Sequence, residues 1–305
     1  MENYYGLIAA ILSPFFSSVS TIFKSEAAKA LSPLVVVSFG GIIGSLILFI
    51  VAGFRREKIS KKLLKANMKD LSLLVLFRFI LGEVIFTYGL VSTSAIKAIF
   101  FTKIEPYFVL ILGWFILKEK IKGKDLVLLT IHLFGALLLS TGGLFLIPHG
   151  GDLLVIFAML CFAGSYTFGK RVSHNLGPTL GNAIPMGIAN LILFPLAIFS
   201  SSSNIFSYSI KGWEYLFIYV ILFNVIALTL WFYSLRMVKG WIVSALRYIG
   251  PVLGAPVAYI LFGQTLNLTQ IIGAIVIIAT SFLIAKEHFS TAKKNVKEFV
   301  VAEES

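Results

Sequence analysis

The chain has 305 residues, of which 58% are hydrophobic and 13% are charged, and its mean hydropathy is +0.94. This leaves too little polar surface to cover a soluble globule, so we expect the chain to lie in a lipid bilayer. The net charge of +12 does not indicate a nucleic-acid partner, because the Lys and Arg residues lie in short segments between apolar runs.

Ten apolar runs are long enough to cross the hydrocarbon core, which takes about 20 helical residues. In chain order they lie near residues 5–23, 34–53, 71–90, 96–117, 125–146, 152–169, 180–199, 214–235, 240–262 and 268–285. The connector 55–70 carries seven Lys or Arg residues and the connector 118–124 carries four, whereas those around Pro148 and Gln264 carry none. The positive-inside rule therefore predicts a multi-pass protein of the cell membrane with both termini cytoplasmic and with Lys24 on the outer side.

The chain matches itself, without a gap, at a spacing of 145 residues. In this register Tyr88 falls on Tyr233, and Pro106 falls on Pro251. A unit of five spans ends on the opposite side of the membrane, so the second copy must enter it inverted. We predict an all-α integral membrane protein with ten transmembrane helices in two inverted five-helix repeats. The domains are residues 1–147, residues 148–286 and a cytoplasmic polar tail at 287–305.

Short motifs near the end of each repeat point to a family. Pro106 and Pro251 are each followed thirteen residues later by Glu119 or Gln264, and the last span contains Gly273-Ala274. Over residues 5–286 this organisation resembles the EamA-like branch of the drug/metabolite transporter superfamily, although the first copy lacks the later Gly-Ala. The resemblance implies a secondary carrier of small metabolites. It also implies that helices one, three, four, six, eight and nine surround the cavity, with five and ten more peripheral.

Five ionisable residues lie deep in the predicted spans: Arg78, Glu83, Lys103, Glu105 and Arg247. Each costs about 2.5 to 3.5 kcal/mol at mid-membrane, so such residues usually face a cavity or a partner. Their depths favour a Glu83–Lys103 pair, with Glu105 reaching Arg78 or Arg247. The surplus cation would bind a carboxylate or phosphate of the substrate, and a Glu would accept a coupling proton. A static ion-pair network locking helices three, four and nine is the alternative.

Other residues complete the candidate site. Lys103 and Glu105 lie about 200° apart around an ideal helix, which predicts that only one of them faces the cavity. Tyr107, Tyr248 and Asn224 are further substrate-site candidates, with interhelical hydrogen bonding as the alternative for Asn224. The conformational hinge candidates are Pro106, Pro251, Gly250 and Gly254.

We expect a transporter rather than an enzyme, with no metal and no cofactor, because clustered His or Asp ligands and phosphate-binding loops are missing from the sequence. The expected partners are the lipid bilayer and a small-molecule substrate, and both a monomer and a homodimer fit the sequence. The substrate would be an amino acid or related carboxylate-bearing compound, moved by alternating access with proton coupling or exchange. A channel, a lipid flippase and a membrane-embedded enzyme are the alternatives.

Overall fold

The computed structural model describes residues 2–93, 95–118, 122–143, 148–200, 208–262 and 266–303. Regular secondary structure in these ranges is helical, and eight continuous helices are long and apolar enough to cross a membrane. The continuous helices are α1 Glu2–Leu31, α2 Pro33–Phe54, α3 Met68–Ser92, α5 Gly123–Thr141, α6 Gly150–Leu176, α7 Pro178–Phe199, α8 Ile210–Met237 and α10 Leu268–Glu303. A short helix, Lys61–Ala66, lies between α2 and α3.

The fourth and ninth predicted spans are interrupted helices. α4 consists of Ala95–Phe101 and Glu105–Leu117, joined by a single 3₁₀ turn, and α9 consists of Gly240–Leu246 and Ile249–Phe262. Pro106 and Pro251 lie in the first turn of each second segment, where a helix tolerates a residue without an N–H. The two predicted hinge prolines therefore follow the two breaks in the backbone.

The 145-residue spacing holds for the helices as well as for the sequence. α2 and α7 coincide at both ends in this register. Even a rare backbone form recurs, because α3 contains a π-helix at Val75–Gly82 and α8 contains one at Val220–Ala227. Since the second copy has no charged residue there, the π-helix belongs to the duplicated unit and is not a consequence of Arg78.

The two halves pack into one another. α1 lies against α8 and the second segment of α9, and α6 makes the corresponding contacts with α3 and the second segment of α4. Around this centre the equivalent helices pair with each other, α2 with α7 and α5 with α10. The first helix of each half is thus inserted into the other half, and the interrupted helices lie beside it.

One difference from the predicted spans changes the site. The apolar run ends near residue 23, but α1 continues to Leu31, so Lys24 lies within the helix and is 3% exposed. The prediction that Lys24 belongs to an outer connector is wrong, because the chain keeps its helical hydrogen bonds through a polar stretch that is packed against other helices. The motif residues Glu119 and Gln264 lie outside the described residues.

Candidate functional site

A cavity of about 530 Å³ lies among α1, α3, α4, α6, α8 and α9, with α5 and α10 contributing only at its edge. Its lining includes six of the predicted substrate or coupling residues: Arg78, Glu83, Lys103, Glu105, Arg247 and Tyr248. Pro251 and Gly254 also line it. The helices that the resemblance implied would surround the cavity therefore do so.

The cavity extends towards one end of the helix bundle. It reaches Lys29 at the end of α1, Leu90 near the end of α3 and Gln270 at the start of α10. These positions lie at the end opposite the basic connector 55–70. At the basic end the helices close on a buried core that includes Leu74 and Trp231. The structure is thus open at the end away from the basic connector and closed at the other.

At the bottom of the cavity, Glu105 joins three helices. Its Oε2 lies 2.7 Å from Nη1 of Arg247 in α9 and accepts hydrogen bonds of 3.4 Å from the hydroxyls of Tyr166 in α6 and Ser244 in α9. The prediction that Glu105 reaches Arg78 or Arg247 is confirmed for Arg247. Oε1 of Glu105 is buried without a hydrogen-bond partner among the described residues, so this carboxylate has spare accepting capacity.

Glu83 has a different partner from the predicted one. Its Oε2 lies 2.5 Å from Nζ of Lys24, so the predicted Glu83–Lys103 pair is wrong. The Lys24 ammonium also lies over the rings of Phe86 and Tyr219, at 5.0 and 5.3 Å from their centroids. Because α1 runs past the apolar stretch, Lys24 reaches Glu83 across the helix interface.

Sequence reasoning missed Lys24, although a signal for it was present. The polar residues Ser17, Thr21 and Lys24 recur at helical spacing and all line the cavity. A polar stripe on an otherwise apolar helix indicates a face turned away from lipid. Tyr166 was missed for another reason, since its contact with Glu105 comes from the other half of the chain.

Lys103 and Glu105 both line the cavity, so the prediction that only one would face it is wrong. Thr102–Ile104 form a 3₁₀ turn. A 3₁₀ helix has three residues per turn, so two residues along the chain are separated by about 240° around the axis instead of the 200° of an α-helix. This brings the two side chains about 40° closer around the helix. The Lys103 ammonium lies 5.6 Å from the Tyr248 ring centroid, and the Tyr248 hydroxyl donates a hydrogen bond to the Lys103 carbonyl.

Arg78 is buried at the cavity wall, with no carboxylate of the described residues within ion-pair distance. It is 2% exposed, and its guanidinium carbon lies 4.4 Å from the ring centroid of Phe162 and 4.9 Å from that of Trp231. Its Nε and Nη1 atoms have no hydrogen-bond partner among the described residues. Aromatic faces attract a cation, but they accept no strong hydrogen bond. The described residues therefore leave two donors of the buried guanidinium unused.

Two predicted candidates, Tyr107 and Asn224, are not among the residues that line the cavity. The Tyr107 hydroxyl donates a hydrogen bond of 3.3 Å to Thr130 of α5. The Asn224 amide donates to the Gly40 carbonyl of α2 at 2.9 Å, and the Asn224 carbonyl accepts a bond of 2.8 Å from Asn182 of α7. Interhelical bonding, the alternative considered for Asn224, is what the structure shows.

The hinge candidate Gly250 lies at a close approach between α9 and α1. A Cβ at this position would lie 2.4 Å from Ser18 Oγ and 2.6 Å from the Pro14 carbonyl oxygen, closer than real Cβ contacts. At Gly254 the nearest atom would be Ser18 Cβ at 3.6 Å. Pro106 is buried. Glycine at position 250 is thus required for the α1–α9 contact beside the cavity.

The duplicated helices around a central cavity match a known family of membrane proteins. The sequence model of the EamA-like transporter family matches residues 4–141 and, a second time, residues 149–286. The chain belongs to the EamA-like transporter family. It is therefore a transporter and a multi-pass membrane protein. Within its described residues, no three His, Cys, Asp or Glu side chains come together as metal ligands would.

Several relatives of this EamA-like transporter cover most of its length. An uncharacterized transporter of Methanothermobacter thermautotrophicus is 21% identical over 93% of this chain and 87% of its own. The uncharacterized transporters YetK and YoaV of Bacillus subtilis are 25% and 24% identical, over 70% and 79% of this chain and over 68% and 83% of their own. One solved crystal structure has a TM-score of 0.69 at 13% identity, covering 92% of this chain and 94% of its own, which shows a shared fold.

Proposed function

We propose that this EamA-like transporter is a secondary carrier that moves a small carboxylate-bearing metabolite, such as an amino acid or a related compound, across the cell membrane. The observation that carries the proposal is Arg78, which lines the cavity and whose buried Nε and Nη1 have no hydrogen-bond partner among the described residues. A carboxylate pairs well with the planar, permanently charged guanidinium. Binding it would compensate a charge that is costly to leave alone within the membrane.

Alternating access follows from the relation between the halves. Among the described residues the cavity opens towards the end away from the basic connector, and an inverted repeat can exchange the conformations of its two halves to open the other end. Some equivalent positions line the cavity in both copies, as Arg78 does with its counterpart Phe223 and Lys103 with Tyr248. The proposed domains are the repeats at 1–147 and 148–286, with the tail at 287–305 and both termini in the cytoplasm. In this orientation the cavity faces outward.

The interrupted helices supply the proposed moving parts. Helix breaks leave backbone that rearranges more easily than a continuous helix, and transporters commonly place such breaks at the substrate site. Here the break in α4 contains Lys103, and the break in α9 contains Arg247 and Tyr248. Motion at either break would therefore act directly on the cavity wall. Opening of the basic end would separate Glu105 from Arg247, and protonation of the freed Glu105 would couple transport to protons.

The proposal is tested first by binding. Purified protein is heated in the presence of single amino acids, hydroxy acids and dicarboxylates, each with the matching amide as control. A carboxylate that binds the folded state raises the midpoint of thermal unfolding, and its amide does not. Radiolabelled forms of these carboxylates are then taken into proteoliposomes. A carrier gives saturable counterflow, whereas conductance without saturation would show a channel.

Variants locate the site. Arg78→Gln is expected to weaken carboxylate binding by about 10- to 100-fold, the usual effect of losing a hydrogen bond to a charged group. Lys29→Gln is the matched control, because Lys29 lies at the cavity mouth and pairs with exposed Glu26 at 2.7 Å. Equal carboxylate affinities of the wild type and Arg78→Gln, in protein of unchanged thermal stability, would refute the assignment of the site.

A further inference from the structure

Both carboxylates in the deep part of the cavity are already paired. Glu83 lies 2.5 Å from the ammonium of Lys24, and Glu105 lies 2.7 Å from the guanidinium of Arg247. Each partner comes from another helix, α1 for Glu83 and α9 for Glu105. These four side chains contribute no net charge to the cavity wall.

Two further cations have no such compensation. Arg78 and Lys103 are 2% and 8% exposed, and neither lies within ion-pair distance of a carboxylate in the described part of the chain. At the mouth of the cavity, Lys29 and Glu26 pair with each other and cancel. Counted by side-chain type, the described wall of the cavity therefore has a formal excess of two cationic groups, Arg78 and Lys103.

The surroundings of these two cations are aromatic. Arg78 lies over Phe162 and Trp231, and Lys103 lies over Tyr248. A ring attracts a cation through its quadrupole, but it carries no negative charge. Arg78 belongs to α3 and Lys103 to the turn that interrupts α4, so the two charges enter the cavity from different helices. An anion within the cavity would compensate the charge of both residues.

We propose that the substrate carries two negative charges, as a dicarboxylate or a phosphate monoester, one near Arg78 and one near Lys103. This inference rests on the proposed function and specifies the charge of its substrate. A dianion brings the wall to neutrality, whereas a monoanion leaves one buried cation unpaired. The volume of about 530 Å³ lies in the usual range of small-molecule sites and accommodates a carbon skeleton between the two anionic groups.

The charge balance also constrains the transport cycle. When the cavity closes around a dianion, the two negative charges of the substrate balance Arg78 and Lys103, and no net charge is taken out of water. Closing the empty cavity instead removes water from two uncompensated cations, which is unfavourable. The empty carrier is therefore expected to change conformation more slowly than the loaded one. Exchange of internal for external substrate should exceed net uptake by at least tenfold.

The experiment compares probes that differ by one charge. Succinate is compared with succinamate, in which an amide replaces one carboxylate, and glycerol 3-phosphate is compared with its singly charged methyl diester. At about pH 7.5 the phosphate monoester is a dianion, since its second ionisation lies near pH 6. Affinities are measured on the purified full chain by thermal unfolding and by competition for counterflow. The pair with the larger affinity ratio identifies the anionic group.

We expect at least one dianion to bind tenfold or more tightly than its singly charged partner. Lys103→Met should remove this preference, Arg78→Gln should weaken both members of the pair, and Lys29→Gln should change neither. Equal binding of both members by the wild type would overturn the dianion inference while leaving a carboxylate carrier intact. Failure of every anionic probe, together with saturable transport of a neutral or cationic solute, would overturn the proposed function as well. The wild-type comparison decides the question even if a variant fails to fold.

Discussion

Gly250→Ala is expected to force α1 and α9 apart beside the cavity. The new Cβ would lie 2.6 Å from the Pro14 carbonyl oxygen, which belongs to a helix backbone and cannot rotate away. It would also lie 2.4 Å from Ser18 Oγ. Overpacking of this kind typically costs about 1 to 3 kcal/mol. If the α1–α9 contact at Gly250 is broken when the cavity opens at the basic end, the same energy shifts the equilibrium towards that conformation by about 5- to 150-fold.

The matched control lies one helical turn further along α9. Gly254→Ala would place its Cβ 3.6 Å from Ser18 Cβ, an ordinary contact, so its effect should be small. Thermal unfolding in detergent should show a midpoint several degrees lower for Gly250→Ala only, at about 2 to 4 °C per kcal/mol. Adding Ser18→Gly to Gly250→Ala removes the clash with Ser18 Oγ and should restore part of the lost stability. The recovery should be incomplete, because the clash with the Pro14 carbonyl remains. Equal midpoints for the two alanine variants would refute the close approach of α1 and α9.

Three further outcomes follow from the contacts of single side chains. Lys24→Met should destabilise the protein by about 3 to 5 kcal/mol, because it leaves the Glu83 carboxylate buried and unpaired. Adding Glu83→Gln should recover part of that loss in thermal unfolding, and additive losses would contradict the pair. Tyr107→Phe should leave counterflow within about twofold of wild type, since its hydroxyl contacts Thr130 outside the cavity; a tenfold loss would place Tyr107 in the site. Asp152→Ala should cost about 0.5 to 2 kcal/mol, because the Asp152 carboxylate accepts a hydrogen bond of 2.8 Å from the His149 backbone N–H at the start of α6; an unchanged midpoint of thermal unfolding would argue against that cap.

The long-range order of the helices was predictable because two independent signals agree. Hydropathy locates the spans, and the 145-residue register shows which helices are equivalent. Depth counting, at 1.5 Å per residue, limited the partner of Glu105 to Arg78 or Arg247, and the structure shows Arg247. The count placed Glu105 near the midplane, between the layers, within reach of the inner layer that holds Arg78 and Arg247, and packing of α4 against α9 brings Arg247 to it.

The remaining pairings depended on features that a hydropathy profile averages away. Lys24 was assigned to a connector because a lysine near the end of an apolar run usually marks its boundary, yet α1 continues beyond it. The relative directions of Lys103 and Glu105 were taken from an ideal α-helix, and the 3₁₀ turn invalidates that geometry. The aromatic rings around Arg78 come from α6 and α8, and their approach is a tertiary contact that no local pattern reveals.

The π-helices of α3 and α8 fix the rotational register of the residues that follow them. A single π-helical turn inside an α-helix accommodates one extra residue. Side chains after it are therefore turned by about 100° relative to a continuous α-helix. Glu83 is the first residue after the π-helix Val75–Gly82, so its direction towards Lys24 depends on this extra residue. Its counterpart Leu228 holds the same position after the second π-helix and has no ion pair in the described structure. A one-residue deletion within Val75–Gly82 would therefore redirect an intact carboxylate, whereas the equivalent deletion in α8 would only turn an apolar side chain.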